Sequence, residues 1–323
     1  MKNLISDLKA VACARLYLKY PLAISWSVTK RCNCNCLYCA GNNEEEDLKT
    51  GQMLEIIDFA YAAGARYISF TGGEPLLRRD FSTIADYSHN KGIFNKLNTN
   101  GLLLSEKINE IKNIDLIHLS LDGPQDIHDS VRGRGTFQRA LSGLEAARAH
   151  NKKLILSTVL SKYNLQYLEQ IFELCKKYNT GVFFQPARIL VYGEDKVNPA
   201  AAENEDYKKA ISRIMLLKRK RIPGLKILNS IAGLKHLYHW PALTDIPCCS
   251  GLTSFKIDNK GFLYNCTGYA EPGVDVLKYG FKEAMRMLKY RACKECWCAT
   301  QVEFNLAVNL NPDAIINYLV NKV

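Results

Sequence analysis

The chain has 323 residues, enough for one large domain and a smaller one. Its 43 lysines and arginines exceed its 32 aspartates and glutamates by 11, but they are dispersed; the densest run, Lys218-Arg219-Lys220-Arg221, closes a predicted helix, so no nucleic-acid role is expected. No apolar run is long enough to span a bilayer and no signal-peptide cleavage pattern appears, which makes the cytoplasm the expected setting, where 12 cysteines favour metal ligation over disulfides.

Residues 2–19 read as an amphipathic helix, with Leu4, Ile5, Leu8, Val11, Ala12 and Leu16 at helical spacing among Lys2, Lys9 and Arg15. Packing across the following domain is the expected role; lying on anionic lipid is the alternative. From residue 22 strands alternate with helices. The pattern predicts strands at 22–28, 67–72, 94–99, 115–121, 153–160 and 180–186. Helices are predicted near 51–63, 80–91, 105–112, 136–149, 165–177 and 204–220. Repeated βα units imply an α/β fold with a parallel sheet covered by helices, and six units fall short of the eight that close a barrel.

Side chains alternate across a strand. Ser25, Ser27 and Thr29 share one face of the first strand, Ser69 and Thr71 of the second, and Lys96, Asn98 and Asn100 of the third. His118, Ser120 and Asp122 do so on the fourth, and Gln185 on the sixth. Helices outside demand the apolar faces, so the polar ones should point inward and line a ligand cavity.

The first strand runs into Cys32-Asn33-Cys34-Asn35-Cys36-Leu37-Tyr38-Cys39, where Cys32, Cys36 and Cys39 are spaced CxxxCxxC. Three thiolates on one loop can hold three irons of a [4Fe–4S] cluster and leave one open. Half a zinc site is the alternative, although zinc pairs come as CxxC with a second pair nearby, and no cysteine lies between Cys39 and Cys175.

The loop, with the aromatic Tyr38 before its last cysteine, resembles the cluster motif of radical S-adenosylmethionine (SAM) enzymes. That family's fold is a partial (β/α)6 TIM barrel. Gly72-Gly73-Glu74-Pro75 after the second strand resembles its GGEP motif, which hydrogen-bonds the amino group of SAM. Thr99-Asn100-Gly101 and Ser120-Leu121-Asp122-Gly123 resemble the TNG and S-x-DG signatures of the branch with extra clusters. The resemblance implies SAM as cofactor, with Tyr38, Gly72, Gly73, Glu74, Pro75, Asn100, Ser120, Asp122 and Gln185 around it. Arg132, with Arg134 as the alternative, would pair with the SAM carboxylate. By the same spacing Cys34 is not a ligand.

Residues 187–203 read as a connection out of the barrel, and Pro223, Pro241 and Pro247 mark a boundary. His236 and His239 between them are expected to face substrate or pack. Asp258-Asn259-Lys260-Gly261 reads as a hairpin turn that brings Cys249 towards Cys266, and Cys293 and Cys296 follow a predicted helix at 281–290. Four thiolates suit zinc or [4Fe–4S] alike. Here the order Cys249, Gly261, Cys266, Cys293, Cys296 resembles the twitch extension, a shortened SPASM domain (β-hairpin plus helix) that binds one auxiliary [4Fe–4S] cluster. Cys248 and Cys298 are spare.

The implied organisation is a helix (1–21), a radical SAM barrel (22–225), a twitch/SPASM-like domain (226–300) and a helical tail (301–323). The tail, with Glu303, Asn305 and an amphipathic stretch at 313–322, has no assignment. The implied activity is a radical SAM oxidoreductase: reductive SAM cleavage, then hydrogen abstraction and oxidation or cross-linking of a substrate. A peptide or protein is the first expectation; a small molecule, a tetrapyrrole or cofactor precursor, or a lipid is the alternative. An electron donor such as flavodoxin or ferredoxin is the implied partner. A non-catalytic iron–sulfur or zinc scaffold is the rival of another class.

Overall fold

The computed structural model describes residues 4–39, 46–189, 196–202, 204–239, 246–266, 272–290, 296 and 298–321. Helix α1 (Leu4–Arg15) comes first. The strands β1 (Ala23–Ser27), β2 (Tyr67–Thr71), β3 (Phe94–Thr99), β4 (Leu116–Ser120), β5 (Leu154–Leu160) and β6 (Gly181–Pro186) lie side by side in chain order, each parallel to the next. Between and after them run α2 (Thr50–Ala63), α3 (Phe81–Asn90), α4 (Leu104–Lys107), α5 (Gln125–Arg132), α6 (Thr136–Ala149), α7 (Leu168–Lys177) and α8 (Asn204–Lys220). The predicted helix at 105–112 is regular for only four residues, and α5 falls where no helix is predicted.

The C-terminal strands extend the same sheet. β7 (Lys226–Ile227) joins β6, and helix α9 (Ile231–Tyr238) follows. β8 (Ser254–Ile257) pairs parallel with β1, then β9 (Phe262–Tyr264) and β10 (Val274–Asp275) continue antiparallel. The expected hairpin is therefore β8–β9, grafted onto the barrel edge. Helices α10 (Val276–Met287), α11 (Ala299–Val308) and α12 (Pro312–Asn321) close the chain. Gly280, at φ 71° and ψ 160°, breaks α10 just before the predicted start at 281.

Alternation sorts the strands as the sequence predicts. Ile24, Trp26, Ile68, Phe70 and Leu97 are at most 2% exposed and meet the helices; Trp26 stacks 6.4 Å from Phe70, which meets Phe81 of α3 edge-on at 5.5 Å. Each such side chain contributes about 1.5–3 kcal/mol by leaving water. The opposite face is predominantly polar on β1 to β4. The register puts Ile155, Ser157 and Val159 of β5 and Phe183 and Gln185 of β6 on the inner side, so that wall of the barrel is more apolar than the one built by β1 to β4.

The N-terminal helix departs from expectation. Ala10 is its fully buried residue and Asp7 accepts a hydrogen bond from the Tyr67 hydroxyl at 3.1 Å, while Ile5, Leu8 and Leu16 of the predicted apolar stripe are exposed. Small and polar side chains make the contact, against a patch of Tyr20, Leu22, Tyr67 and Phe304. No helix among the described residues is long and apolar enough to cross a membrane.

Candidate functional site

The cysteine loop leaves β1 at the C-terminal end of the strands, where barrel enzymes place their chemistry. Its backbone is locked to the Gly-Gly turn after β2. Gly73 N–H donates to Thr29 O and Glu74 N–H to Arg31 O, both at 2.8 Å. A Cβ on Gly72 would lie 2.2 Å from Thr29 O, and one on Gly73 2.1 Å from Arg31 O. The glycines are thus demanded by the loop itself.

Glu74 is fully buried and serves as a bracket. It accepts from Leu76 N–H at 3.1 Å, Thr99 Oγ1–H at 2.8 Å and Asn100 N–H at 2.8 Å. Burial, reinforced by nearby Cys32, pushes its carboxyl up to about 7. Pro75 starts the short turn that follows. Asn100 in turn donates from Nδ2 to Asn33 Oδ1 at 2.7 Å and approaches Cys32 Sγ at 3.8 Å.

The other side of the loop is held by a buried triad. Tyr38 OH donates to Asp122 Oδ2 at 2.7 Å, and Arg132 Nε donates to the same oxygen at 2.6 Å. Asp122 Oδ1 also takes Val159 N–H at 2.8 Å. Burial alone would raise the Asp122 carboxyl, but Arg132 outweighs it and holds it below the carboxylate range. Arg132, on the last turn of α5, reaches Cys36 Sγ with Nη1 at 4.0 Å, while Arg134 is exposed. Asn164, whose Nδ2 donates to Asp122 O at 2.7 Å, and His128, whose Nδ1 accepts from Asp122 N–H at 3.2 Å, complete the support. Neither follows from sequence reasoning, because neither stands at a patterned position.

The thiols respond to this surrounding. Cys34 is buried and hydrogen-bonded to the thiols of both Cys32 and Cys36; this contact, aided by Asn100 and Arg132, lowers Cys32 to about 6, and Cys34 with Arg132 lowers Cys36 to about 7. Cys39 is exposed, one turn on from Cys36, whose carbonyl takes its N–H at 3.0 Å. Among the described residues no three metal-binding side chains converge on a point a single ion could fill. A cubane spreads its thiolates over separate irons, and thiols held near neutrality beside Arg132 and Asn100 fit such a group.

Gln185 turns elsewhere: its Oε1 accepts Ala299 N–H at 2.7 Å and ties β6 to the start of α11. Ser120 ends β4 on the inner face, level with Ser157.

A second group of thiols sits near the hairpin. Cys248, Cys266 and Cys298 all bear electrostatically on Cys296, whose thiol is pushed up chiefly by burial. Cys249 is 2% exposed and faces α11: its thiol donates to Asn305 Oδ1 at 2.9 Å, Gln301 Nε2 approaches its sulfur at 3.7 Å, and burial pushes it up to about 12. The tail left unassigned by sequence thus supplies residues around Cys249. Cys293 lies outside the described residues. His236 is buried and hydrogen-bonded to the Cys296 backbone, so it packs, whereas His239 is exposed at the C-terminal cap of α9 with its ring edge-on to Tyr238 at 5.2 Å.

A sheet of parallel strands with a cysteine loop and a glycine turn at its C-terminal mouth defines the class. Residues 26–175 match the radical SAM superfamily, and the chain carries a domain of that superfamily, whose members use SAM and a [4Fe–4S] cluster in radical catalysis. It is 33% identical over 195 residues to the AdoMet-dependent heme synthase of Methanosarcina barkeri, covering 57% of this chain and 56% of that protein. It is 31% identical over 172 residues to the mycofactocin maturase MftC of Mycolicibacterium smegmatis, covering 50% and 43%. The chain thus spans about half the length of the curated relatives it matches. The fold also matches native anSMEcpe with bound AdoMet and Cp18Cys peptide at a TM-score of 0.67, 17% identity, and coverage of 93% of this chain and 99% of that one.

Proposed function

We propose that the chain is a radical SAM oxidoreductase that cleaves SAM reductively at a cluster held by Cys32, Cys36 and Cys39 and acts on a peptide or protein. The observation that carries it is the loop between two anchors, Glu74–Asn100 on one side and Tyr38–Asp122–Arg132 on the other. Held by Cys32, Cys36 and Cys39, a [4Fe–4S] cluster with one open iron would supply the electron for reductive cleavage of SAM. The protein's part is positional. Arg132 and Asn100 offset thiolate charge, Gly72, Gly73, Pro75, Ser120 and the end of β3 shape the mouth where SAM would lie, and the barrel walls exclude water.

Cys249, Cys266, Cys293 and Cys296 would hold an auxiliary [4Fe–4S] cluster in a twitch-like extension built on β8 and β9, suited to accepting the electron that substrate oxidation releases. A flavodoxin or ferredoxin would supply the first electron. The maturase relative and the peptide in the anSMEcpe structure favour a peptide; the heme synthase relative favours a tetrapyrrole.

The test is anaerobic turnover with dithionite and SAM. The native protein should release 5′-deoxyadenosine, and Cys32→Ala, Cys36→Ala or Cys39→Ala should cut its rate at least a hundredfold. Equal rates in the variants would refute the assignment.

A further inference from the structure

The inner face of the barrel carries lysine side chains on its strands. Following the register, β8, β1, β2 and β3 place Lys256, Ser25, Ser69 and Lys96 in one row. The next row of β3 and β4 brings Asn98 beside His118. Across β1 to β6 and β8 the inner positions carry these two lysines and no carboxylate.

Lys96 is the deeper case. It is only partly exposed, and among the described residues it makes no hydrogen bond and no ion pair. Burial lowers its ammonium to about 8, with Cys298 as the ionisable neighbour favouring the charge, so the group is still mostly cationic at neutral pH. His118 is 6% exposed, its Nε2 has no partner, and burial together with Lys96 holds it neutral. Beside them the Ser69 hydroxyl accepts from Asn98 Nδ2 at 2.8 Å and so keeps its own proton to give. A buried cation and an orphaned ring nitrogen are costly to a fold unless a ligand completes them. The facing wall of β5 and β6 is mainly apolar, with Ile155, Val159 and Phe183; of its polar members Ser157 lies level with Phe183, and Gln185 Oε1 is taken up by Ala299 N–H.

We propose that the substrate carries a carboxylate, and that this group is received by the Lys96 ammonium with the Ser69 hydroxyl and His118 around it, its apolar remainder lying against Phe183. The proposal deepens the reading above by naming the substrate's chemical class, and its test separates the two.

Saturation-transfer NMR on the full anaerobic chain would compare glutarate with the neutral, near-isosteric glutaramide, with SAM as an internal reference. Glutarate should receive at least fivefold more transfer than glutaramide, Lys96→Met should abolish that preference, and Lys96→Arg should restore part of it. Because the variant removes an unpaired buried charge, Lys96→Met should also melt a few degrees higher, roughly 2–4 °C for a chain of this size; a drop of that size would assign Lys96 a structural role instead and overturn the proposal. Equal transfer from the two probes, or a glutarate preference that survives Lys96→Met, would overturn it as well. Absence of transfer to SAM alone would count against the cofactor reading and leave the carboxylate site standing.

Discussion

Gly72 shows how single residues decide the site. Its φ of +136° and the mere 2.2 Å that would separate an added Cβ from Thr29 O exclude any side chain. Gly72→Ala should therefore destabilise the apoprotein by about 3 kcal/mol, read as a lower urea midpoint; an unchanged midpoint would show that the loop is not pinned there. Arg132→Ala should cost about 3–5 kcal/mol, because it strands the buried Asp122 carboxylate. Tyr38→Phe removes one hydrogen bond to that carboxylate and should cost about 1.5–3 kcal/mol. A Tyr38→Phe loss equal to that of Arg132→Ala would contradict the ranking. These partners are only half legible in the sequence. Spacing identifies Cys32, Cys36, Cys39 and the glycine turn, but the meeting of Tyr38 with Asp122, 84 positions away, depends on strand order. The same order sends Gln185 to Ala299.

Among the elements, α9 has its N-terminus closed by carboxylates from the tail. Glu303 Oε1 takes Ser230 N–H at 2.7 Å, and Asp313 Oδ2 takes Ala232 N–H at 2.7 Å. Burial pushes the Glu303 carboxyl up to about 7. The folded chain then binds a proton more readily than the unfolded one, whose carboxyl titrates near 4.5. Stability from this group is full below pH 4.5 and declines as pH rises to about 7. Glu74 has a shift of the same sign. Glu303→Gln should flatten part of the fall in melting temperature between pH 5 and 7; an undiminished slope would assign the effect elsewhere. Strand positions are legible because alternation and burial agree in β1 to β3. The N-terminal helix is not, since its periodic stripe of Ile5, Leu8 and Leu16 points away from the patch that Ala10 fills. Periodicity shows that a helix has two faces without showing which one the fold covers.

At the scale of the molecule, the hairpin that carries Cys266 shares a hydrogen-bonded ladder with the first barrel strand, from Ala23–Ser254 to Trp26–Ile257. Damage at the second thiol group should therefore reach the barrel. Cys266→Ala in the iron-loaded protein should lower a single calorimetric transition; two resolved transitions would mean that barrel and extension melt apart. The central claim is an iron–sulfur cluster with an open position at Cys32, Cys36 and Cys39. Mössbauer spectroscopy on anaerobically purified 57Fe-enriched protein, with and without SAM, tests it most directly. The account predicts a [4Fe–4S] signal in which one iron changes its parameters when SAM is added, and which is lost in the Cys32→Ala/Cys36→Ala/Cys39→Ala variant. A stoichiometric zinc ion at that loop, with no iron, would contradict it.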